Sequence, residues 1–192
     1  MTSTDELIAK MEKFKKDFYD NEGKNSFFKK TQKIECAKKM SNTFQLNEMI
    51  QKTIYVIPST DKIIFDYTIF KLYACPENYD IIINYVIKIY DFILLQFPAF
   101  EVNIILDSFT ISAAERYKVI INDFCNKCMN AQTKYSELIS KIKIFYTPSM
   151  IESITSVLKP FIDKDVLNKM SFVSKAESPQ VFKELFTAHM QR

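Results

Sequence analysis

Residues 135–173 read YSELISKIKIFYTPSMIESITSVLKPFIDKDVLNKMSFV, and this stretch decides the fold. Ile142, Ile144 and Tyr146 recur at every second position, which predicts a strand. The strand stops at Thr147-Pro148. Thr147 is placed to cap a helix and Pro148 to occupy its first position, where a missing N–H costs nothing. The predicted helix carries Met150, Ile151, Ile154, Val157 and Leu158 on one face. Pro160 ends it, because proline lacks the N–H a helix interior needs. Phe161-Ile162-Asp163 follows, then a polar helical turn and a last short strand from Met170 to Val173.

Upstream, residues 102–106 form a continuous apolar run, suited to a strand buried on both faces. Ser112-Ala113-Ala114-Glu115 has the pattern of a capping box. The helix it opens carries Tyr117, Ile120, Ile121, Phe124 and Cys128 on one face. This helix joins the 102–106 strand to the 141–146 strand, a β-α-β crossover. Pro76 opens a long apolar helix that ends near Phe97 and carries one polar stripe, Glu77, Asp80, Asn84, Lys88 and Asp91. Two strands, 53–57 and 63–69, flank a turn at 58–61. An amphipathic helix over 4–20 carries Leu7, Met11, Phe14 and Phe18 and ends near Gly23, a suitable helix terminator. A second helix over 26–41 has Phe27, Phe28, Ile34 and Ala37 as its expected buried residues. Val181, Phe182, Leu185 and Phe186 are the expected inward face of a C-terminal helix over 178–190.

The order of these pieces resembles the CRAL-TRIO (Sec14-like) lipid-binding family. Its members run from a YPxxL turn into a strand ending N-x-P-x-x-F. A gate helix, a KPFLD segment, and KI with a final strand come next. The counterparts here are Tyr135-Ser136-Glu137-Leu138, Tyr146-Thr147-Pro148, Lys159-Pro160-Phe161-Ile162-Asp163 and Lys169-Met170. Asn103-Ile104-Ile105-Leu106-Asp107 resembles the family's vvifD strand. The likeness spans residues 51–176, and its most specific piece is KPFID at its distance from Thr147-Pro148. Ser136 stands where the family usually has proline, and Tyr146 where many members have asparagine. A glycine-rich tail after the last strand is missing and the leading helices are abbreviated. These departures are similar to a divergent branch that includes BCH domains and the Sec14-like portions of GTPase regulators.

The resemblance implies an α/β fold: a mixed, mostly parallel sheet flanked by helices, with short N-terminal helices. Residues 1–45 are expected to form an N-terminal helical segment. Residues 46–192 are expected to form the α/β domain and its C-terminal helix. The implied function is non-enzymatic binding, transfer or presentation of a hydrophobic lipid, a phospholipid first of all, in a pocket under the gate helix. Its implied lining is Ile105, Ile144, Tyr146, Met150, Ile151, Ile154, Leu158, Phe161 and Ile162. Lys143 and Lys183 are the expected head-group contacts. The alternative is a BCH-like protein-interaction module with a reduced or filled pocket, which binds a protein partner in small GTPase signalling.

Composition narrows the function classes. The chain has 192 residues, 47% of them hydrophobic and 26% charged, enough for one domain with a sizeable core. A net charge of +3 is too mild for a nucleic-acid partner, which needs a concentrated basic face. It allows peripheral association with anionic membranes, with Lys29, Lys30, Lys33, Lys38 and Lys39 as the contacts. Four cysteines and no signal peptide fit a cytoplasmic protein. Lys88, Asp91, Pro98 and Glu101 interrupt the most apolar region, 81–106, before it reaches the roughly 18 residues of a membrane span.

Catalytic chemistry finds no foothold. There is no G-x-S-x-G, no H-E-x-x-H and no glycine-rich phosphate loop. Cys125 and Cys128 form a C-x-x-C, but no second pair has zinc spacing and the one histidine, His189, stands far along the chain. The pair falls late in a helix, away from the N-terminal dipole that activates thiols, and is expected to pack. His189 is expected to be an exposed terminal residue. Asp163 and Asp165 are expected to cap helices. The expectation is a binding protein with no cofactor and no metal.

Overall fold

A computed structural model describes residues 3–24 and 27–187 of the chain. Five strands form one sheet in chain order: β1 (Ile54–Val56), β2 (Lys62–Asp66), β3 (Phe100–Ile105), β4 (Ile139–Thr147) and β5 (Met170–Ser174). β1 runs antiparallel to β2, and the remaining neighbours are parallel. The fold class is the mixed, mostly parallel α/β arrangement that the sequence predicts.

Parallel neighbours in chain order need a crossover each time, and crossovers share one hand. Their helices therefore collect on one face of the sheet. α4 (Tyr67–Tyr73) and α5 (Tyr79–Leu94) connect β2 to β3. α6 (Ile111–Met129) and the single turn α7 (Tyr135–Leu138) connect β3 to β4. α8 (Ile151–Leu158) and α9 (Lys164–Asn168) connect β4 to β5. One buried cluster joins Ile82, Val86 and Tyr90 of α5, Tyr117 and Ile120 of α6, and Ile154 of α8 to Ile63, Val102 and Ile144 of the sheet. α10 (Ser178–Thr187) covers the opposite face, where Leu185 joins Ile57, Ile64 and Phe145. The expected C-terminal helix beyond 187, and His189, lie outside the described residues.

α1 (Ser3–Glu22), α2 (Lys29–Thr43) and α3 (Leu46–Thr53) precede the sheet, and all three touch α4. Leu7, Met11 and Met40 belong to the same buried cluster as Met49, Ile50 and Tyr73. Gly23 follows α1 at φ +70°, the left-handed conformation that makes glycine a helix terminator. In α2 the expected buried set is corrected. Phe27 and Phe28 are exposed, and Cys36, Ala37 and Met40 face inward. The two phenylalanines precede the first helical residue, so they do not share its buried stripe.

The 63–69 strand is also corrected. β2 ends at Asp66, whose carboxylate accepts the Thr68 backbone N–H at 2.7 Å and the Thr68 hydroxyl at 2.6 Å. That cap starts α4 where apolar alternation alone predicts more strand. Two further caps shift. Thr110, not Ser112, caps α6 by accepting the Ala113 N–H at 3.2 Å. The Thr147 hydroxyl donates back to the Ile144 carbonyl at 3.0 Å, and α8 begins at Ile151 without a side-chain cap. Asp163 does cap α9, accepting the Asp165 N–H at 2.7 Å.

Candidate functional site: an apolar cavity between sheet and crossover helices

A cavity of about 320 Å³ lies between the sheet and α4, α5, α6 and α8. Side chains alternate across each strand, so one set of positions faces it. These are Phe65 of β2, Val102 and Ile104 of β3, Ile142 and Ile144 of β4, and Met170 and Phe172 of β5. The helices close it with Val86 and Tyr90, with Ile120, Ile121 and Phe124, and with Ile151, Ile154 and Leu158. Phe70, Tyr67 and Tyr117, all nearly inaccessible to solvent, wall one end. Met129 and Phe172 line the cavity and are still about half exposed, so they mark its mouth. The mouth therefore lies between the end of α6 and the edge strand β5.

The wall holds few polar groups, and most are occupied. The Tyr135 hydroxyl donates to Asp91 at 2.5 Å, and the Asp163 carboxylate caps α9. Burial pushes the Tyr90 and Tyr117 hydroxyls far above their usual range, so both stay neutral. Cys125 and Cys128 line the same cavity as free thiols. Burial pushes them up to about 11 and about 12, so at neutral pH they are protonated, small and apolar. Among the described residues, no group of three or more His, Cys, Asp or Glu could hold a metal ion.

Of the lining predicted from sequence, Ile144, Ile151, Ile154, Leu158 and Ile162 come together at the cavity. Ile105 and Tyr146 instead pack on the α10 face. Ile105 alternates out of phase with Ile104. Tyr146 has the phase of Ile144, but the β4–β5 register breaks between Ile144 and Thr147 and Tyr146 takes φ +54°. Its N–H donates to the Ser178 hydroxyl at 2.6 Å, which holds the break against the start of α10. Asparagine adopts such a backbone more readily than tyrosine. Met150 is exposed ahead of α8. Phe161 ends the tighter turn Lys159–Phe161, where the change from 3.6 to three residues per turn takes it off the α8 face.

Neither predicted head-group lysine faces the cavity. Lys143 sits in register with Asn103 on the α10 side and pairs with Glu101 at 3.2 Å. Lys183 lies on α10 and is exposed. The lining that sequence reasoning missed lies on α4, α5 and α6 and on the cavity-facing positions of the strands. The apolar face of α6, Tyr117 to Cys128, the apolar helix after Pro76 and the apolar run at 102–106 are its visible signals.

A model of the CRAL/TRIO domain matches residues 75–190, more than half of the chain. The chain belongs to the CRAL/TRIO family. No curated protein matches it. The family places this chain among generally lipid-binding or lipid-transfer modules rather than enzymes. The matched residues begin at the Cys75-Pro76 entry to α5, so α1 to α4 with β1 and β2 precede them. The cavity of this CRAL/TRIO chain draws on both parts, because Phe65, Tyr67 and Phe70 lie before the matched residues. No helix among the described residues is long and apolar enough to cross a membrane.

Proposed function

We propose that this CRAL/TRIO protein binds one phospholipid with acyl carbon in the cavity between its sheet and crossover helices, and passes it between membranes. The observation that carries this reading is the cavity itself: about 320 Å³, closed by aliphatic and aromatic side chains. That volume lies within the range of small-molecule pockets. Each methylene buried is worth about 0.8 kcal/mol, so about ten gain about 8 kcal/mol before the cost of ordering the ligand. Exposed Met129 and Phe172 at the mouth suit brief contact with a membrane surface during exchange.

The test is uptake of nitrobenzoxadiazole-labelled phosphatidylcholine from self-quenched vesicles. Saturable dequenching at about one lipid per protein is expected. Dequenching no greater than that produced by an unrelated protein contradicts the reading.

A second reading, a BCH-type protein-interaction module, draws on a different surface. Phe92 and Leu95 stand exposed near the end of α5, Leu95 at 83%. Lack of lipid uptake together with a partner whose binding is lost in Leu95→Asp favours that reading.

A further inference from the structure

The floor of the cavity is a row of side chains laid across the strands. Phe65, Ile104, Ile144 and Phe172 are successive register partners on β2, β3, β4 and β5, and all four line the cavity. Val102, Ile142 and Met170 make a second row beside them. The space therefore runs across the sheet rather than along it. One end of the row is open, because Phe172 is 46% exposed. Rings in contact with one another stop the other end. The centres of Phe65 and Phe70 are 5.4 Å apart, those of Phe70 and Tyr117 5.0 Å, and those of Tyr117 and Tyr67 6.1 Å.

Length and volume agree on what this space holds. The three interstrand spacings from β2 to β5 make about 14 Å. An extended chain advances about 1.2 Å per bond, so about twelve carbons span that length. A methylene takes about the 30 Å³ of a water molecule in the liquid, so the cavity of about 320 Å³ holds about eleven. A single file of carbons meets both limits. A second chain beside it has no room. The side chains of both floor rows are apolar, so a polar head group drawn in over them would lose water without gaining a partner.

We propose that the cavity admits one hydrocarbon chain and selects it by length, with the rings of Phe65, Tyr67, Phe70 and Tyr117 as the stop at about twelve carbons. The inference rests on the lipid reading and adds its selectivity. The polar head, any second chain and the carbons beyond the stop remain outside the mouth.

Calorimetric titration of the delipidated full chain with alkylphosphocholines of eight to sixteen carbons, each below its micelle-forming concentration, tests the stop. One molecule per protein is expected. Affinity should rise about fourfold per added carbon up to about twelve carbons and then level off. Phe70→Ala removes a ring from the stop and should move the levelling point to longer chains. Ile104→Phe fills the row one strand before the stop and should move it to shorter chains, by up to about four carbons. If Phe70→Ala does not fold, Ile104→Phe decides.

An affinity that still climbs at sixteen carbons overturns the proposal. So do two molecules per protein, or a levelling point in Ile104→Phe that matches the wild type. Absence of binding at every length overturns it as well. Uptake of labelled phosphatidylcholine, measured in parallel on the wild type, tests the lipid reading separately in each case.

Discussion

Replacing Ile154 with tryptophan is expected to deprive the protein of lipid without unfolding it. Ile154 is 2% exposed and faces the cavity from the centre of α8. In a dense interior, a larger side chain forces neighbours to move, at a cost of about 1–3 kcal/mol. Here the indole has the cavity to enter. The lipid-free variant is therefore expected to melt at or above the lipid-free wild type. The space the indole takes is space denied to an acyl chain, and the cavity is at the small end of ligand pockets. Lipid uptake should fall about tenfold or more. Differential scanning calorimetry of delipidated protein, beside the vesicle assay, reads both quantities. A melting temperature lower by several degrees means that α8 packs on filled space.

Phe145→Ala is expected to do the reverse. Phe145 is fully buried on the other face of the sheet, with Ile57, Ile64 and Leu185 around it and Phe182 edge-on at 5.4 Å. Truncating a buried phenylalanine costs about 3–5 kcal/mol. For a chain of this size that lowers the melting temperature by roughly 10 °C. Its side chain is not part of the cavity lining. Folded variant, assayed well below its melting temperature, should take up lipid with wild-type stoichiometry. Lost uptake by folded Phe145→Ala means that the two faces of the sheet are not independent.

These two variants also show which parts of the architecture sequence reveals. The alternation of Ile142 and Ile144, the apolar run at 102–106 and the stop at Pro160 are local, and the strands and α8 follow from them. The one-sided apolar face of α6 was equally plain. Its destination was not, because a stripe records that a face is buried and not what lies opposite. The sheet order supplies that answer: parallel strands in chain order place α5, α6 and α8 together over one face.

Tyr146 shows a different limit. Period-two reasoning puts it beside Ile144, and one left-handed residue at a register break sends it to the other side. Strand 63–69 failed for a related reason. Ile63 to Ile69 alternates well enough for a strand, but Asp66 and Thr68 form a side-chain cap that outweighs the alternation. The Asp-x-Thr spacing was the signal available. For Lys38 and Lys39 the limit is tertiary. Glu77 lies 2.6 Å from Lys38 and Glu22 lies 2.9 Å from Lys39, so two of the five lysines expected at a membrane are held in surface ion pairs.

The central claim is that the cavity between sheet and crossover helices is a lipid site. Native mass spectrometry of protein purified without detergent tests it most directly, with the released small molecules identified by lipid extraction. The account predicts a population heavier than the chain by one phospholipid, lost on delipidation and restored by incubation with vesicles. A single mass equal to the chain alone, unchanged after incubation with phospholipid vesicles, contradicts it.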